Sequence, residues 1–162
     1  MINLDKKVAL VTGASRGVGK GIAVSLADAG MLVYITGRTI NEGESASKLT
    51  GTIYQTQAEI QGKGGKCVAV QCDHNDDEQV KMVFDIIHKE HKQIDILVNN
   101  VWGGYEHFTD GTEFWNEKGF WTLPTSRWDS MFQSGVRAHY VTSVFAAPLL
   151  LQQDNSLIVT LS

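Results

Sequence analysis

The stretch "VALVTGASRGVGKGIAVSLADAG" sets Gly13, Gly17 and Gly19 at the point where an apolar run gives way to helical spacing. Glycines are needed where a turn is tight, where backbone must approach a pyrophosphate, and where a helix packs closely on a strand. The helix that follows offers unpaired N–H groups and the positive end of its dipole, a combination suited to binding phosphate. The spacing from Thr12 to Gly19 is T-G-x-x-x-G-x-G, which differs from the common dinucleotide fingerprint G-x-G-x-x-G.

Other chemistries find less support. His74, His88, His91, His107 and His139 lack metal-ligand spacing, so no metal site is expected, and His88 and His91 read as solvated helix residues. Cys67 and Cys72 share the apolar run "CVAVQC" at an odd separation, which sends them to opposite faces of a strand. A mutual disulfide is therefore not expected, in keeping with a reducing, cytoplasmic setting. The net charge is −4 and the basic residues are dispersed, which argues against nucleic acid. The longest apolar run, Val144 to Leu151, is interrupted by Pro148 and is far too short to span a membrane.

Short apolar runs alternate with helical segments along the whole chain. Residues 8–13, 31–37, 67–73, 94–100 and 156–162 read as strands, the last as a buried one, and 18–29, about 52–62 and 76–91 as helices. A fourth helix is expected near Ser126, where "SRWD" matches a capping box, and Trp128, Phe132, Val136, Tyr140 and Val144 recur along it every four residues. This alternation predicts one α/β domain over 1–162, a Rossmann-like, doubly wound parallel sheet with right-handed crossovers. Two stretches interrupt the rhythm. Residues 39–50 are polar, whereas 101–125 hold Trp102, Tyr105, Phe108, Phe114, Trp115, Phe120 and Trp121, half of the aromatic residues in the chain. Such density predicts a folded flap, packed down or lining a pocket.

With "TGASRGVG" as the turn, Asp73 ending the third strand and "DILVNN" as the fourth, the chain resembles the short-chain dehydrogenases/reductases over its whole length. More narrowly, "NNVWGGYE" and "GVRAHYVTSVFAAPL" are similar to the dehydrogenase/reductase SDR family member 1 subgroup and its bacterial relatives. The resemblance implies that Gly13, Ser15, Arg16, Gly17, Val18 and Gly19 surround the phosphates of a nicotinamide dinucleotide. It implies that Asp73 touches adenine and Asn100 the adenosine ribose. Asn99 is a further cofactor-binding candidate, although it and Thr12 are better suited to bracing neighbouring strands, and Lys20 to a solvated helix face.

Selection for NAD(H) usually places a carboxylate after the second strand, on the ribose 2′-hydroxyl. Gly37 stands there, followed by Arg38, with Arg16 in the glycine turn. Two guanidinium groups suit a 2′-phosphate through charge-assisted bonds, so NADP(H) is expected in preference to NAD(H). The opposing reading is that both arginines are surface charges.

Members of this family reduce carbonyls or oxidise alcohols with a Ser and a Tyr-x-x-x-Lys pair. Here Tyr34, Tyr54, Tyr105 and Tyr140 are followed four places later by Arg38, Ala58, Thr109 and Val144. By resemblance "SLIVTLS" is the fifth strand, and the usual spacing puts the catalytic serine just beyond Ser162, making Ser162 its neighbour. The expectation is a C-terminally incomplete enzyme: the NADP(H)-binding part of an oxidoreductase acting on a small carbonyl or alcohol. The alternative is a complete, non-catalytic dinucleotide-binding or interaction module. Many members also carry an Asn in the fourth helix, three residues before a Gly. Counting back from Gly135 gives Phe132, read as core, with Gln133 beside it as a possible substitute. The stripe on that helix resembles the family's dimer-forming surface, which implies a homo-oligomer, unless the stripe packs wholly onto the sheet.

Overall fold

The computed structural model describes residues 4–45, 49–104 and 119–162. Among them, Val8–Val11 (β1), Leu32–Gly37 (β2), Lys66–Gln71 (β3), Ile96–Asn99 (β4) and Leu157–Thr160 (β5) form one sheet in the order β3-β2-β1-β4-β5. Every pairing is parallel. The helices Gly17–Asp28 (α1), Ile53–Gly62 (α2), Asp77–His91 (α3), Ser126–Met131 (α4) and Ala138–Leu150 (α5) supply the crossovers, with a π-helical turn at Phe132–Arg137 joining the last two. Strand order reverses between β1 and β4, where a doubly wound sheet opens a crevice beyond its carboxyl ends.

Two apolar layers sandwich the sheet. On one face Leu10, Tyr34 and Leu97 pack with Val80, Val83, Phe84 and Ile87 of α3 and Ala146, Leu149 and Leu150 of α5. On the other, Ala9, Val11, Val33 and Ile35 pack with Ala23 and Ala27 of α1 and Ile53 and Ile60 of α2. Cys67 belongs to the second layer and Cys72 to the first, so the odd spacing does send the thiols to opposite faces. Both are free and buried, and burial pushes each thiol up to about 12. No described helix is long and apolar enough to cross a membrane.

Local signals account for the helix starts. Thr52 Oγ1 accepts from Gln55 N while Thr52 N donates to Gln55 Oε1, each at 3.0 Å, forming a capping box for α2. Asp76 caps α3 by accepting from Glu78 N and Gln79 N. The capping box expected at "SRWD" is not formed. Ser126 is the first residue of α4, and Thr125 makes no side-chain capping bond. The carbonyls of Pro124 and Thr125 instead accept from Arg127 N and Trp128 N, so backbone has taken over the task of the cap.

Three other expectations change. Phe132 is not core: Trp128, Phe132, Val136, Tyr140 and Val144 are all exposed, and the stripe does not pack onto the sheet. Ala138, His139, Thr142 and Ala146 face inward instead, with Leu149 and Leu150 at the end of α5 completing the buried face. Residues 156–162 are not a buried strand, since β5 lies at the sheet edge with Leu157–Thr160 exposed. His91 is half-buried, with Nε2 2.9 Å from Tyr34 Oη, rather than solvated beside His88. Of the aromatic flap, residues 105–118 lie outside the described residues, so Tyr105, Phe108, Phe114 and Trp115 carry no structural statement. Phe120 and Trp121 are exposed, and Trp102 lines the cavity described next.

Candidate dinucleotide site

Beyond the carboxyl ends of the strands lies a cavity of about 770 Å³. The glycine turn, the end of β2, the loop after β3, the segment after β4, the π-helical turn and the end of β5 all contribute to its walls. Gly13, Ser15, Arg16, Gly17, Val18, Gly19, Arg38, Asp73, Asn100 and Ser162 come together here. Asn99 does not. Its side chain is fully buried, and Nδ2 donates to Ser143 Oγ at 2.9 Å, tying β4 to α5.

The glycine turn is shaped by its neighbours as well as by its own sequence. Gly13 and Gly17 have φ of +66° and +56°, a region L side chains rarely adopt. A Cβ on Gly19 would lie 2.6 Å from Gly13 O and against the Asn100 amide, so this position of α1 has room only for glycine. Asn100 Nδ2 donates to Thr12 O at 2.9 Å and Gly13 O at 3.0 Å. Thr12 Oγ1 in turn accepts from Asn100 N at 2.9 Å and donates to Val98 O at 3.3 Å. Thr12 and Asn100 thus pin the turn to the end of β4, across the point of strand reversal.

On the β2 side, Arg16 is held before any ligand arrives. Nη1 donates to Ser45 Oγ at 2.9 Å, and Nη2 to Thr39 Oγ1 at 3.1 Å and Gly51 O at 2.9 Å. The polar stretch after β2 therefore anchors a cation beside the cavity, a role its composition alone did not disclose. A Cβ on Gly37 would meet Ile53 Cγ2 at 2.9 Å, so an acidic side chain there would require Ile53 to yield. After β3, Asp73 Oδ1 accepts from Asn75 N at 3.0 Å, which fixes its carboxylate at the rim.

The opposite wall comes from α4, the π-helical turn and α5, through Met131, Ser134, Gly135 and His139. Gln133 lies instead in the outer groove with Trp128 and Tyr140. Among the cavity residues that the sequence reading did not assign to a site are His74 and His139. His74 directly follows Asp73, and His139 falls one turn after Gly135. A test for metal-ligand spacing was the wrong filter for either.

His74 is a saturated strut. Thr142 Oγ1 donates to Ala138 O at 2.7 Å, so at 3.0 Å it accepts from His74 Nδ1–H. Nε2 then accepts from Thr36 Oγ1 at 2.8 Å. Burial holds the imidazole neutral and lowers it to about 4. Among the described residues, no group of His, Cys, Asp and Glu could hold a metal ion.

The family model for short chain dehydrogenases matches residues 7–162. Dehydrogenase/reductase SDR family member 1 of Mus musculus is 40% identical over 157 residues, covering 96% of this chain and 46% of the relative. The Homo sapiens protein of that name is 37% identical over 160 residues, covering 98% and 47%. The chain thus spans about half the length of the curated relatives it matches. Among solved structures, a metagenomic short-chain oxidoreductase in complex with NADP has a TM-score of 0.76 and 26% identity, over 98% of this chain and 63% of its own. A 7α-hydroxysteroid dehydrogenase complexed with NADH and 7-oxo glycochenodeoxycholic acid has a TM-score of 0.75 and 26% identity, over 99% and 55%.

Proposed function

The chain belongs to the short-chain dehydrogenase family, and from that premise we propose that it is the NADP(H)-binding portion of an oxidoreductase that reduces a carbonyl or oxidises an alcohol by hydride transfer. The observation that carries this reading is the anchored guanidinium of Arg16, next to Gly37, where the acid that would select NAD(H) is absent and any side chain would require Ile53 to yield. Arg38 lines the same end of the cavity.

The residues present fit the group. The start of α1 would receive the pyrophosphate on its N–H groups, at Gly17, where nothing stands within 4 Å of the missing Cβ, while Gly19 lets α1 pack against the turn and Asn100. Arg16 and Arg38 would pair with the 2′-phosphate, and Asp73 would meet the adenine. Asn100 would act chiefly by holding the turn in shape, because both protons of its amide are committed to Thr12 O and Gly13 O. When bound, the nicotinamide carries the hydride, and the protein supplies position and electrostatics.

The exposed stripe Trp128, Phe132, Val136 and Tyr140 supports a homo-oligomer built on α4 and α5. Free, buried Cys67 and Cys72 support a reducing, cytoplasmic compartment. Titration of the chain with NADPH and NADH, followed by nucleotide fluorescence, tests the central reading. Tighter binding of NADPH is expected, and equal affinity for both would overturn the preference.

A further inference from the structure

Two buried histidines flank the same cavity, and their hydrogen bonding differs. His74 uses both ring nitrogens internally, between Thr36 and Thr142. His139 uses one. Its Nε2 lies 2.9 Å from Val101 O, and a carbonyl can only accept, so Nε2 carries the proton. Burial lowers the affinity of the ring for a second proton, so Nδ1 is a bare acceptor. It has no partner among the described residues, on a residue only 8% exposed that lines the cavity.

Nδ1 is not one of the fully enclosed polar atoms left without a partner, so it opens on the cavity, where water or a ligand donor can meet it. The sheet topology says which part of a ligand could satisfy it. With phosphates on the β1–α1 turn, the end carrying Arg16 and Arg38 lies on the β2 and β3 side. Val101, Gly135, His139 and Thr160–Ser162 lie on the β4 and β5 side, past the strand reversal. A dinucleotide lying across the crevice with its phosphorylated ribose at the arginines must put its other half beside His139.

Resting on the cofactor reading above, we infer that His139 is a further binding residue of this site. Its Nδ1 accepts a hydrogen bond from an O–H or N–H donor on the nicotinamide half, either the ribose or the carboxamide. The Val101 carbonyl acts as a positioning group, since it fixes the tautomer that leaves Nδ1 free to accept. Gly135, one turn earlier on the same wall, carries no side chain that could cover the imidazole.

The test uses the 162-residue chain with ¹⁵N-labelled histidine and two probes, NADPH and 2′,5′-ADP, the second lacking the nicotinamide half. NADPH should move the His139 Nδ1 resonance toward the hydrogen-bonded range, and 2′,5′-ADP should leave it in place while still binding. His139→Phe should weaken NADPH about five- to tenfold, the value of one neutral hydrogen bond, without changing 2′,5′-ADP. His139→Gln, which keeps a donor and an acceptor, should restore much of the loss. Tight NADPH binding with an unmoved His139 resonance in the wild-type chain would overturn this inference alone. Failure of both probes to bind would overturn the cofactor reading and this inference with it.

Discussion

Arg16 Nη2 donates to the carbonyl oxygen of Gly51 at 2.9 Å, joining the glycine turn to the far end of the polar stretch after β2. Gly51 has φ of +104°, and a Cβ there would lie 2.7 Å from Ser15 O. Only a glycine lets this segment close so tightly over the turn. Because Arg16 holds the segment together, its removal would disturb structure and charge at once, and Arg38 is the cleaner probe. Arg38→Ala should cost about 1.5–3 kcal/mol of NADPH binding, as for hydrogen bonds to a charged group, and leave NADH nearly unchanged. Isothermal titration with both nucleotides measures this. An equal effect on the two would mean that Arg38 does not meet the 2′-phosphate.

His74 makes stability depend on pH in a defined window. Its imidazole sits at about 4 when folded, against 6.5 when exposed, with burial as the leading cause. Between those values the unfolded chain takes up a proton that the folded chain refuses, so stability is lost as pH falls from about 6.5 toward 4. The ceiling is roughly 3 kcal/mol, at about 1.4 kcal/mol per unit. His139, also lowered by burial, adds to the slope with the same sign. Urea midpoints at pH 7, 6 and 5 should fall for the wild-type chain and fall less steeply for His74→Gln. Parallel slopes for the two proteins would remove His74 from the account.

Much of this architecture is written locally. Five runs of β-branched and apolar residues, separated by helical rhythms, lead to the doubly wound sheet because the central runs must be covered on both faces, although β5 at the edge stays exposed. The glycine turn is equally legible, since the φ of Gly13 and Gly17 and the contact at Gly19 impose residue type directly. Burial along α4 and α5 is not legible from spacing alone. The chain offers large apolar residues on one face and Ala138, Thr142 and Ala146 on another, and only tertiary packing decides which turns inward. Spacing also hides His139, whose role depends on Val101, 38 residues away in sequence.

The outward stripe on α4 and α5 has a measurable consequence. Trp128 and Phe132 stack with ring centroids 3.7 Å apart, and Tyr140 is 70% exposed on the next turns. Such a surface is expected to be covered by a second copy of the chain. Tyr140→Glu would bury a charge in that contact, weakening association by roughly tenfold or more. Tyr140 does not line the cofactor cavity, so NADPH affinity should be kept. Sedimentation over a range of concentrations should show the wild-type chain associating and the variant dissociating. A monomer in both cases would leave the stripe as exposed surface and nothing more.

The last expectation concerns turnover. Proton donation to a carbonyl oxygen is worth typically about 10²–10⁴-fold in rate, and family members obtain it from a tyrosine paired with a lysine four places on. No tyrosine in these 162 residues has that lysine. Among the described tyrosines, Tyr34 is buried with its hydroxyl bonded to Glu90 and His91, and burial raises its pKa further, the wrong direction for a proton donor. Tyr54 and Tyr140 are exposed and stand outside the cavity. The chain should therefore bind NADPH yet oxidise it only at background with a panel of apolar ketones and quinones. Any longer form of the protein that carries a Tyr-x-x-x-Lys pair should turn over the same panel. Side-by-side assays at saturating NADPH decide the matter. Robust reduction by the 162-residue chain, abolished by Ser162→Ala, would make Ser162 itself catalytic and would require a proton donor within this chain.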